Sequence, residues 1–121
     1  YDIDGGAKAP GGAIDLTLHW QALGPTDKSY KVFTHLVGAD GRIWGQKDDF
    51  PAQGTKPTSS WVKGEYVEDR YHIPIDPGAT PGEYRLLVGL YDLASGQRLP
   101  VMDREGKTVG DHAVLTQVRL K

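Results

Sequence analysis

The 121-residue chain contains no cysteine. This excludes disulfides, thiolate metal sites and a cysteine nucleophile, but assigns no compartment, because an exported domain can do without disulfides. No apolar stretch approaches the roughly 20 residues that a membrane-spanning helix needs, so direct membrane insertion of this chain is not expected. Charge of one sign is not concentrated anywhere, and the net charge is −2. A basic footprint for nucleic acid or anionic lipid is therefore missing. No segment sustains a helical apolar period, nothing repeats internally, and no signal-peptide pattern opens the chain. It begins at Tyr1 without Met, and Tyr1-Asp2-Ile3-Asp4 reads as the end of a short strand. We expect a domain excised from a longer parent.

Turn formers are abundant. Gly 16 and Pro 8 fall between short apolar runs, as they do in all-β proteins. Gly5 to Gly12 is a turn-rich entry. Ile14, Leu16, Leu18 and Trp20 then alternate with Asp15, Thr17, His19 and Gln21, a strand with one face buried. Tyr30 to Val37 sets Val32, Thr34 and Leu36 against Phe33, His35 and Val37, apolar on both sides, which suits a central strand. Asp40-Gly41 marks a hairpin turn to a return strand over Ile43–Lys47. Residues 48 to 64 form the longest irregular stretch, with Trp61 near its end. Val67, Asp69, Tyr71 and Ile73 share one face of the next strand. Pro81-Gly82 opens the run Tyr84, Leu86, Val88, Leu90, and a turn through Ala94-Ser95-Gly96 leads back to Arg98–Val101. Asp103 to Gly110 is a polar turn, and Val114, Thr116, Val118 and Leu120 alternate in a last strand.

Seven or eight such strands predict a single antiparallel two-sheet sandwich spanning residues 1–121, all-β and immunoglobulin-like. Tyr84, just after a turn, suits the tyrosine corner of such folds. Strand parity assigns the core to Ile14, Leu16, Leu18, Trp20, Val32, Leu36, Val67, Tyr71, Ile73, Tyr84, Leu86, Val88, Leu90, Val114 and Val118.

Chemistry-bearing motifs are scarce. His19, His35, His72 and His112 show no metal-motif spacing and read as strand histidines, with His35 hydrogen-bonded in a semi-buried layer. Asp40, Asp103 and the pair Asp48-Asp49 read as caps of local turns rather than as a calcium loop. Thr55, Thr58, Ser59 and Ser60 lie in no nucleophile elbow, and Gly5–Gly12 lacks the ending of a phosphate loop. No catalytic residue, cofactor or metal ligand is assigned. Aromatic rings remain, because flat exposed rings beside polar groups suit sugar faces. Trp44, Trp61 and Tyr66, with Asp48 and Asp49, form the candidate ligand set. The competing assignment, which we favour, has Trp61 pin the long loop onto the core.

Leu16-Thr17-Leu18-His19-Trp20-Gln21-Ala22, Tyr30-Lys31-Val32-Phe33-Thr34-His35-Leu36 and Asp40-Gly41-Arg42 resemble a β-sandwich accessory domain. Pro57-Thr58-Ser59-Ser60-Trp61, Gly64-Glu65, Pro81-Gly82-Glu83-Tyr84 through Tyr91-Asp92, Gly96 and Arg98-Leu99-Pro100 extend the likeness over nearly the whole chain. Similar domains lie near the C-terminus of multi-pass bacterial membrane proteins of the lipid-carrier-dependent glycosyltransferase type. The resemblance implies an extracytoplasmic, non-catalytic module that packs on its membrane-embedded parent or another protein, or that binds glycan. It transfers no catalytic residue.

Overall fold

The computed structural model describes residues 1–4 and 8–121. Gly5, Gly6 and Ala7 of the expected turn-rich entry lie outside the described residues. The remainder of that entry turns as expected, with the Gly12 amide donating to the Ala9 carbonyl. Nine strands are seen among the described residues. They are β1 (Asp2–Ile3), β2 (Ala13–Gln21), β3 (Tyr30–Val37), β4 (Ile43–Asp49), β5 (Tyr66–Pro74), β6 (Gly82–Asp92), β7 (Val101–Met102), β8 (Thr108–Gly110) and β9 (Ala113–Leu120). Two 3-10 turns, Pro51–Gly54 and Thr58–Ser60, lie between β4 and β5.

The strands build a three-stranded sheet ordered β1-β2-β5 and a four-stranded sheet ordered β4-β3-β6-β9, antiparallel throughout. In immunoglobulin lettering β1, β2 and β5 stand at A, B and E, and β3, β6 and β9 at C, F and G. β7 and β8 form a small ribbon inserted between β6 and β9; of the polar turn expected over Asp103 to Gly110, residues 103–107 are its tip, while Thr108–Gly110 are β8 itself. The hairpin expected after β6 is present, but its return is short: Arg98 bridges Tyr91, and the chain then leaves for the ribbon. Tyr84 makes the tyrosine corner, its hydroxyl donating to the Thr80 carbonyl at 2.6 Å.

Alternating burial puts Ile14, Leu16, Leu18, Tyr71 and Ile73 of one sheet against Val32, Leu36, Tyr84, Leu86, Val88 and Val118 of the other, in one continuous core. Trp20 and Leu90 are half-buried and pack against it. Val67 is buried in a satellite cluster with Ala22 and Trp61. Val114 corrects the core assignment. It is 51% exposed, because Leu86 pairs with Thr116 while Leu87 pairs with Val114. The extra residue, Leu115, is a β-bulge that reverses parity, so Leu115 rather than Val114 packs on the core.

Candidate functional site

The residues singled out in the sequence separate into three places. The β2–β5 and β3–β4 pairings set the start of β5 and the end of β4 at one end of the sandwich, and the β3–β4 turn at the other. Trp61 and Tyr66 therefore sit far from Trp44.

At the first end Trp61 is buried, 9% exposed. It packs with Ala22, Val67, Trp20 and Ala52, its ring 6.3 Å from that of Trp20, and its Nε1 donates to the Lys56 carbonyl at 2.8 Å. Thr58, buried, donates to the Lys28 carbonyl and accepts from the Tyr30 amide. Thr58 thus ties the loop to the start of β3, while Thr55 and Ser60 bond carbonyls within the loop itself. Asp69, which shares the inward parity of Val67 and Tyr71, is fully buried. Its carboxylate accepts from Trp20 Nε1 at 3.0 Å, the Tyr71 hydroxyl at 2.7 Å and the Ala52 amide at 2.9 Å. Burial pushes this carboxyl above the ordinary carboxylate range, against those three donors. The loop it holds carries two left-handed non-glycine residues, Ala52 (φ 53) and Gln53 (φ 58). Such a conformation costs about 1–2 kcal/mol per residue, and the Asp69 bond is one of the contacts that offset it. Tyr66 is 74% exposed. Asp49 belongs to β4 rather than to the loop, and caps the Phe50 amide at 2.8 Å.

At the opposite end Trp44 is the extra residue of a second bulge, since Leu36 pairs with Gly45 and Val37 with Ile43. The bulge turns its half-buried ring across the end of the sandwich. Nε1 donates to Asp40 Oδ1 at 3.3 Å, and the Arg42 guanidinium lies 5.2 Å from the ring centre. Clefts of about 420 and 260 Å³ open on either side of Trp44. Asp40 and Asp103 cap local amides, as expected of turn aspartates. The Arg42 amide holds the Asp40 carboxyl below its usual range, with Trp44 adding to that.

The third place is the outer face of the four-stranded sheet. Asp48 also belongs to β4, where it stands opposite Phe33 of β3. Its Oδ2 accepts from the Tyr91 hydroxyl at 3.0 Å, whereas its Oδ1 is buried with no hydrogen-bond partner. Phe33 faces outward and is nonetheless 2% exposed. Gly89 across the ladder makes room for its ring, since a Cβ there would come within 2.3 Å of Phe33 Cζ. Arg98 covers the ring at 4.3 Å, and His35 stacks against it at 4.8 Å. His35 is half-buried and, contrary to expectation, has no hydrogen-bond partner among the described residues; burial holds its pKa below the usual histidine value. Phe33, Tyr91 and Arg98 were absent from the candidate set. The outward Phe33-x-His35 pair facing a glycine was the available signal.

His19 and His72 project from the outer face of the other sheet and bond Asp2 and Asp15, at 2.9 and 2.6 Å. They lie across the sandwich from His35 and His112. Among the described residues no three His, Asp or Glu side chains converge as a metal-holding group, and no helix is long and apolar enough to cross a membrane. No family model, curated protein or solved structure matches the chain. The resemblance to the membrane glycosyltransferase accessory domain accordingly rests on the residues quoted for it.

Proposed function

We propose that this chain is a non-catalytic, extracytoplasmic sandwich module that serves as a structural or protein-interaction domain, its partner being the rest of a membrane-embedded parent or a neighbouring protein. The observation that carries this reading is the burial of Trp61. The one tryptophan in the long loop spends its ring on the core and its N–H on the loop backbone, which is what a loop built as a scaffold requires. The same end exposes Leu23 (82%), Val62 (65%) and Tyr66 (74%), apolar side chains of the kind a contact surface uses. The extracytoplasmic location is drawn from the resemblance alone.

The test is thermal and chemical denaturation of Trp61→Ala beside a glycan-array screen of both proteins. The variant is expected to lose about 3–5 kcal/mol, the cost of deleting a buried large aromatic, and any glycan signal to be the same for both proteins. A variant that kept full stability but lost glycan binding would replace this reading.

A carbohydrate-binding role has one observation in its favour. Trp44 stands half-exposed between two clefts, with Asp40, Gln46, Asp76 and Glu83 on their walls. Glycan binding by the wild-type chain that is abolished in Trp44→Ala would support it.

A further inference from the structure

We propose that the outer face of the four-stranded sheet carries a small ligand site, built from Phe33, His35, Asp48, Tyr91 and Arg98, that takes two adjacent hydroxyls of a single sugar ring. It lies apart from Trp44 and depends on neither reading above.

The site is a depression of about 220 Å³ lined by these five side chains and Gly96. Its floor is made by strand register: Phe33 lies between Asp48 on β4 and Gly89 on β6, and Tyr91 is two residues beyond Gly89. Its far wall is Arg98, brought over the sheet by the turn after β6 and held by the bridge to Tyr91. Asp48 Oδ1 is the one buried side-chain polar atom without a partner among the described residues. Leaving such an acceptor unpaired is costly, the more so when it is charged, so the arrangement calls for a further donor. Arg98 is ion-paired with Asp111 through Nη1 at 3.5 Å; a guanidinium carries five N–H groups, so others remain to donate.

A carboxylate short of a donor beside a guanidinium with N–H groups to spare selects the ligand. A plain anion meets Asp48 and the Asp111 carboxylate that pairs with Arg98. Asp48 Oδ1 is enclosed, so the side chains over it must give way; a vicinal diol then donates from one hydroxyl to Oδ1 and accepts at the other from Arg98. The C–H face of the same ring has Tyr91 and His35 to lie against. The depression is smaller than the pockets of drug-sized ligands, which favours one ring over an oligosaccharide. A zwitterionic amino acid offers a donor and an acceptor too, and is the competitor to be distinguished.

The experiment is an amide-shift NMR titration of the ¹⁵N-labelled chain with methyl glucoside, methyl mannoside and, separately, glycine, each to tens of millimolar. Asp48→Asn and Arg98→Gln are run in parallel, and the dispersion of their spectra reports that they are folded. We expect a methyl glycoside to shift the amides of Phe33, Gly89, Gly96 and Arg98, and each variant to weaken binding about tenfold or more, the loss of one charged hydrogen bond. Glycine binding without glycoside binding would overturn the proposal, as would no shift at all, which leaves water as the partner of Asp48. Shifts confined to the surroundings of Trp44 would also overturn it while favouring the carbohydrate reading there. Failure here leaves the scaffold reading of Trp61 untouched.

Discussion

His35 is half-buried without a hydrogen-bond partner among the described residues. The groups facing it are the Phe33 ring, Asp48, Arg98 and His112, and the balance of burial and charge leaves it more weakly basic than a free imidazole. Its folded pKa lies below the unfolded value of about 6.5. The unfolded chain therefore takes up a proton that the folded chain refuses, and the stability associated with neutral His35 is present above that value and lost as pH falls through the folded pKa. We expect the melting temperature of the wild type to fall, relative to that of His35→Gln, as the buffer is taken from about pH 7 to about pH 5. The other histidines are common to both proteins and cancel in the difference. Parallel curves would show that His35 is not held neutral by its surroundings. The semi-burial of His35 was legible from its place beside Phe33, but not the missing hydrogen bond, because parity does not say that Arg98 and the chain after β6 would close over this face. Asp69 was illegible in another way. Its parity matched Val67 and Tyr71, and it is buried with them; what the pattern omitted is the supply of three donors that makes burial of a carboxylate tolerable.

Strands were legible where the period of two ran without interruption. β2, β3, β5 and most of β6 follow their apolar alternation, and the Asp40-Gly41 and Pro81-Gly82 signals mark the turns they should. Failure came at the two bulges, since an inserted residue leaves composition unchanged and reverses every side chain beyond it. One bulge turned Val114 outward; the other placed Trp44, whose exposure parity could not decide. Asp48 and Asp49 were assigned to the loop because they are polar, yet β4 continues through both. The β9 bulge gives a direct check by denaturation. Val114→Thr is expected to change stability by no more than about 0.5 kcal/mol, as exposed positions do. Leu115→Ala should cost about 2 kcal/mol, the low end for deleting an apolar side chain that packs on the core without being fully enclosed. The reverse ranking would mean that β9 runs without the bulge.

The sheets share one core but are separate ladders, so the crossings between them are fixed by isolated backbone bridges, side chains and corners. The crossing from β5 to β6 is fastened at several points. The Asp76 amide donates to the Trp44 carbonyl, Ile75 bridges Gly45 across the sheets, and Ala79 is buried in the common core. Tyr84 completes it from within β6: its ring is buried among Leu86, Val118 and their neighbours, and its hydroxyl reaches back to Thr80 at the corner. Tyr84→Phe keeps the ring and removes only that bond. The expected loss is about 1 kcal/mol, or a fall in melting temperature of about 4 °C for a domain of this length. Because the ring still fills its place, the slope of the denaturant transition should stay unchanged while the midpoint drops. A much larger loss, or an altered slope, would mean that the corner hydroxyl holds the two sheets in register rather than adding one bond to a crossing that packing already fixes.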